Sequence, residues 1–151
     1  RTRMATIDPM IHTLPDEYRD LLERPLIGIL ATVAPDGRPA QQPMRFTWDG
    51  AHLRMSQTIP RRKFVPLQAN PNYSFIITDP DDPARVLEIT GWLVTVGGDP
   101  DGDFYRQLGR RYGNPDEPVP ADVDDRVVLI LDAQHFIPKT APQPTATTPA
   151  G

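Results

Sequence analysis

Ser56-Gln57-Thr58-Ile59-Pro60-Arg61-Arg62-Lys63-Phe64 holds the densest set of binding groups in the chain: three cations stand directly behind a proline that reads as the first residue of a helix. Adjacent like charges repel, and cations are disfavoured at a helix N-terminus, where free N–H groups and the dipole attract negative charge. In a chain of formal net charge -4, that arrangement points to a bound anion, a phosphate above all. Ser56 and Thr58 add hydroxyl donors just upstream, at a strand end that ligands can reach.

Other chemistry is thinly supplied. Ser56 and Ser74 are the only serines, and neither sits in a Gly-x-Ser-x-Gly turn. His12, His52 and His135 lie in unrelated segments without metal-ligand spacing, so no metal site is expected. Asp99-Pro100-Asp101-Gly102-Asp103 opens like a calcium loop, but Phe104 stands where glycine is needed and Arg110 where the closing glutamate belongs. Capping of the following helix explains these acids better. Glu88 is a lone carboxylate on a strand, read as part of a solvated face rather than a general base. No catalytic residue is assigned.

The elements that must position the cations follow from pattern. Pro15 to Arg24 reads as a short helix, with acids in its first turn and arginine in its last. Leu26 to Val33 is a strand, the turn Ala34 to Pro39 leads to a second strand from Ala40 to Trp48, and Asp49-Gly50 turns into a third from Ala51 to Gln57. A helix over Pro60 to Ala69 follows, although Pro66 interrupts it. A fourth strand is expected over Tyr73 to Thr78 and a fifth over Arg85 to Gly97, with Gly91 as a bulge or close-approach point. Phe104, Tyr105, Leu108 and Tyr112 share one helix face, and Arg126 to Leu131 is the sixth strand. Residues 1–14 read as an arm, 15–138 as one domain and 139–151 as a Pro/Thr-rich disordered tail. Six short antiparallel strands with flanking helices predict a mainly β barrel.

With 151 residues, 38% hydrophobic content and no long apolar run, the chain suits one soluble domain. Its acidity argues against nucleic-acid or membrane partners, so the basic cluster is aimed at a small anion. Cysteine is absent, which excludes disulfides and thiolate chemistry and fits a cytoplasmic setting.

The ordered set Pro25-Leu26-Ile27-Gly28-Ile29-Leu30-Ala31-Thr32, Asp36-Gly37-Arg38-Pro39, Arg45-Phe46-Thr47-Trp48-Asp49-Gly50, Ser56 and Pro60-Arg61-Arg62-Lys63 resembles the pyridoxamine-phosphate-oxidase-like split β-barrel family, from about Leu21 to Pro138. The resemblance implies a homodimer with a flavin or deazaflavin in the groove between subunits. It implies that Arg61 and Lys63 grip the cofactor phosphate with help from Ser56 and Thr58, and that Gln42, Met44 and Arg45 lie along the ring. The family often continues Arg-Asn-Leu after the lysine; here Phe64-Val65-Pro66-Leu67 follows.

The Pro/Thr tail lacks the C-terminal arginines of the vitamin oxidases proper. The short form resembles the branch that uses coenzyme F-420, a deazaflavin hydride carrier with an oligoglutamyl tail, for which Arg38, Arg45, Arg54 and Arg62 offer cations beyond the phosphate site. The resulting expectation is hydride transfer between F-420 and a conjugated small organic molecule; an FMN-dependent oxidoreductase and a non-catalytic flavin- or deazaflavin-binding protein are the alternatives. Trp48 or Trp92 beside the groove would stack flat substrates, or else pack in the core or the dimer.

Overall fold

The protein is described by a computed structural model covering residues 12–59 and 66–141. A 3-10 turn, Asp16–Tyr18, leads into α1 (Arg19–Glu23); β1 (Gly28–Val33), β2 (Pro39–Met44), β3 (Thr47–Trp48) and β4 (His52–Thr58) follow. Then come α2 (Pro66–Ala69), β5 (Asn72–Thr78), β6 (Arg85–Gly98), α3 (Asp103–Arg111), a 3-10 turn at Val123–Asp125, and β7 (Arg126–Thr140). The turn chemistry works as its residues dictate. Gly50 has φ 97°, and the Asp49 carboxylate accepts the N–H groups of Ala51 and His52 at 2.9 and 2.7 Å.

Two expectations are corrected and a third is met only in part of its range. The strand expected over Ala40 to Trp48 is two strands, giving seven among the described residues, because Arg45 and Phe46 leave the β1 ladder and the chain re-pairs with β4. The helix expected over Pro60 to Ala69 is present at Pro66–Ala69, and residues 60–65 lie outside the described ones. The last strand does not stop at Leu131 but runs to Thr140; the polar residues Asp132 and Gln134 end the apolar run without ending the ladder to β6.

All strands pair antiparallel in the order β2-β1-β5-β6-β7-β4-β3. β2 and β3 are thus opposite edges of one sheet, yet only Arg45 and Phe46 join them. Three peptide links reach about 11 Å at most, so the sheet must curl until its edges nearly meet. No ladder closes that gap: the result is a split, not a sealed, barrel.

The long strands β6 and β7 carry the bend. Residues 86–92 of β6 pair with β5, while residues 126–132 of β7 pair with β4, and the β6–β7 register shifts at Thr90/Gly91 and again at Leu93/Thr95. Gly91 is required there, because a Cβ would stand 1.9 Å from the Asp132 carbonyl oxygen. Inside the curl, Leu30, Phe75, Ile77, Leu87 and Ile89 of one half face Leu53, Met55, Leu129 and Leu131 of the other, all essentially excluded from solvent. Phe46 packs edge-on against Phe75, with ring centroids 5.3 Å apart.

α1 is tied to the β5–β6 hairpin by charge. Arg85 bonds Asp20 at 3.0 Å and Asp79 at 2.9 Å, and Arg24 bonds Asp79 at 3.1 Å and Asp81 at 2.6 Å. The Arg85 hydrogen bonds hold the Asp20 carboxyl at about 2, and Asp79 is lowered by the Asp81 N–H and then by Arg85 and Arg24, against the opposing effect of its burial. An unfolded Asp titrates near 3.9, so on acidification the unfolded chain takes up protons first. The contribution of these pairs is complete above about pH 5 and is lost as pH falls from about 4 toward 2. The stability gap between the native protein and Arg85→Gln, measured by urea unfolding, should therefore be constant from pH 6 to 5 and shrink by pH 3.

Candidate functional site

α3 sets one wall of the site, and its start is fixed by a buried acid. Asp99 accepts the N–H groups of Phe104 and Tyr105 at 3.1 and 3.0 Å, a capping carboxylate placed where the helix dipole favours it. The other end is fixed by Arg111, whose guanidinium donates to the carbonyls of Leu22, Glu23 and Arg24 at 2.9, 3.2 and 3.0 Å and so caps the C-terminus of α1. Tyr112 follows. Its hydroxyl accepts the Phe46 N–H at 3.0 Å and donates to the Leu26 carbonyl at 2.6 Å, satisfying backbone groups at the point where β2 leaves its ladder. Burial pushes the Tyr112 phenol up from its ordinary value.

This bracing presents Arg45 to a cleft of about 440 Å3 between β2, β4 and α3, walled by Ile27, Met44, Arg45, Ser56, Tyr105 and Arg126. The Arg45 guanidinium carbon lies 5.4 Å from the Tyr105 ring centre and 5.7 Å from that of Tyr112. The Arg126 guanidinium carbon lies 4.7 Å from the centre of the same Tyr105 ring. Arg126 donates to Ser56 Oγ at 3.3 Å and to Asp122 at 3.0 Å, and the Thr58 hydroxyl donates to the same Asp122. Those two partners, Thr58 first, hold Asp122 below the usual carboxylate range.

Of the residues singled out in the sequence, Met44, Arg45 and Ser56 meet in the cleft. The Ser56 hydroxyl accepts from Arg126, so its own proton is available to a ligand. Thr58 stands beside them with its proton committed to Asp122. Gln42 opens instead on a neighbouring cavity of about 130 Å3, with Gln57, Pro66 and Leu67. Arg61, Arg62 and Lys63 lie outside the described residues. The chain enters that segment from Ile59, whose N–H bonds the Asp125 carbonyl at 2.7 Å, and leaves it at Pro66, in the wall of the Gln42 cavity.

Other candidates are placed elsewhere. Arg38 is paired with Asp36, and Arg54 with Asp49. Glu88 is paired with Lys139 at 2.9 Å. Trp48 packs edge-on to Phe136, with ring centres 6.0 Å apart, Trp92 is largely exposed on β6, and neither lines the cleft. His12 and His135, distant in sequence, come within 4.8 Å between ring centres. Sequence reasoning missed Arg126, Asp122 and the role of Tyr105. Tyr105 showed only as one apolar position on a helix face, and no spacing ties Arg126 or Asp122 to Ser56 and Thr58.

Residues 14–139 match the sequence profile described as pyridoxamine 5'-phosphate oxidase. The chain belongs to that family, in its split-barrel form. Among solved structures it is similar to an F420 reductase at 44% identity, over 82% of this chain and 98% of that one, with a TM-score of 0.77. The Rv2991 protein of Mycobacterium tuberculosis shares the fold at 20% identity, over 97% and 99% of the two chains, with a TM-score of 0.68. General Stress Protein 26 of Bacillus anthracis does so at 17% identity, over 82% and 92%, with a TM-score of 0.59. Among the described residues no helix is long and apolar enough to cross a membrane.

Tyr112→Phe removes the hydroxyl but keeps the ring, leaving the Phe46 N–H and the Leu26 carbonyl without that partner. Urea unfolding should show a loss of about 1–3 kcal/mol, with little change in the denaturant slope.

Proposed function

We propose that the protein is an oxidoreductase that transfers a hydride between coenzyme F-420 and a conjugated small organic molecule, working as a homodimer. The observation that carries this reading is the 44% identity to an F420 reductase over nearly the whole of that chain. Family membership supports flavin-type chemistry more broadly.

The cleft residues fit such a coenzyme. A space of about 440 Å3 lies within the range of small-molecule sites, about 300–1,000 Å3. Its walls combine apolar surface from Ile27, Met44 and Leu108 with the Arg45 guanidinium and the available Ser56 proton. When bound, the coenzyme supplies the hydride chemistry. In this reading Met44 and Arg45 orient the ring, Ser56 assists at the phosphate, and Arg61 and Lys63 grip the phosphate from the segment that starts two residues after Ile59. β2 is exposed along nearly its whole length; a second copy laid against that side would cover the open groove and exclude water from it.

The test is a fluorescence titration of the purified protein with F-420 and, in parallel, FMN. F-420 should bind more tightly, and Arg61→Ala and Lys63→Ala should each raise its Kd about tenfold or more, as expected for loss of one charge-assisted contact. Tighter FMN binding would move the protein to the FMN-dependent branch. Binding without oxidation of reduced coenzyme by any acceptor in a substrate panel would make it a carrier, and failure of both coenzymes to bind would overturn the reading.

A further inference from the structure

Nearly every arginine among the described residues is matched to a carboxylate or, for Arg111, to carbonyl oxygens. Two are not. Arg110 lies exposed on the outer face of α3, where water solvates it. Arg45 is half-buried, stacked over Tyr105 and Tyr112, and opens on the cleft.

A guanidinium partly withdrawn from water without a counter-charge carries a desolvation cost that a bound anion would offset. Contact with the two rings restrains the guanidinium without using its N–H groups, and a guanidinium can receive a carboxylate through two parallel hydrogen bonds. Arg126, which also contacts the Tyr105 ring, does not compete for this role, since Asp122 already pairs with it. Among the described residues no acidic side chain lines the cleft. Apart from the Ser56 hydroxyl the remaining wall is mainly apolar, with Ile27, Pro43, Met44 and Leu108, and Ile27 is 50% exposed, surface that a flat hydrophobic body would cover.

We propose that Arg45 anchors a carboxylate subsite in this cleft, and that the ligand placed there is a planar, largely apolar molecule carrying a carboxylate. This deepens the proposed function and rests on that reading's choice of the cleft as the ligand site. The carboxylate is the acid group of a substrate; the acidic tail of the coenzyme, which is neither planar nor apolar, is the competing outcome.

The test compares 2-naphthoate with its neutral isostere 2-naphthamide by calorimetric titration, on the protein as purified and again with saturating coenzyme. Naphthoate should bind at least about tenfold more tightly, the discrimination of one bidentate charged pair. Arg45→Gln should abolish that preference while moving naphthamide affinity less than twofold; Arg45→Lys should keep part of it, and Arg110→Gln all of it. Equal affinity of the two probes for the native protein, binding of neither, or a preference that survives in a folded Arg45→Gln variant overturns the subsite. The native-protein comparison stands even if that variant does not fold.

The two readings fail separately. A naphthoate preference that depends on Arg45, in a protein that binds neither F-420 nor FMN, removes the coenzyme assignment and keeps the subsite; coenzyme binding without the preference does the reverse. F-420 and its tail-free deazaflavin chromophore separate the sources. If Arg45→Gln weakens only the tailed form, the carboxylate is the coenzyme's and the substrate subsite is overturned; if it weakens naphthoate on the coenzyme-saturated protein, the subsite is the substrate's.

Discussion

Two residues join the opposite edges of a seven-stranded sheet, and the rest of the molecule accommodates that tether. Arg45 and Phe46 connect β2 to β3 at the far ends of the ladder order, so a flat or gently twisted sheet is sterically impossible. The curl that results turns one face inward, where the aliphatic and aromatic side chains of both halves meet and exclude water. It also leaves a seam, because β2 and β3 form no ladder with each other. Clefts form at that seam, and the candidate site is one of them.

Keeping a break in a strand at the edge of a core is costly unless its backbone groups find partners. Here the partners come from one helix end. Phe46 buries its ring against Phe75, the Tyr112 hydroxyl serves the Phe46 N–H and the Leu26 carbonyl, and Arg111 lies over the Phe46 ring while capping α1. Stability and site geometry are therefore the same set of contacts. The groups that hold the crossover closed also stack Arg45 at the mouth of the cleft, which is what preorganisation of a binding group requires.

Charge is arranged in an equally local way. Many acids of the described residues lie against particular arginines: Asp20, Asp79 and Asp81 around Arg24 and Arg85, Asp49 at Arg54, Asp122 at Arg126. Against that background an arginine without a carboxylate in a half-buried position stands out electrostatically. Net charge alone hides it, since a chain of formal charge -4 still presents a cationic point where its acids have been used elsewhere.

What the sequence determined by itself is what short-range chemistry controls. The turns at Ala34 to Pro39 and Asp49-Gly50, the bulge at Gly91, the capping role of the acids before α3 and the run of antiparallel strands are all set within a few residues by backbone sterics and hydrogen bonding. The family was legible from Pro25 to Lys63 for the same reason: its marks among the described residues lie mainly in short runs of strand and turn residues. The tertiary structure decided which strand is the neighbour of which, that the apparent strand over Ala40 to Trp48 divides at Arg45, and that β7 continues past Asp132. It also brought Arg126, Asp122 and Tyr105 to Ser56 and Arg45 across separations of some 60 to 70 residues. Pairing partners and ion pairs of that range follow from closing the whole sheet, and no local period in the chain encodes them.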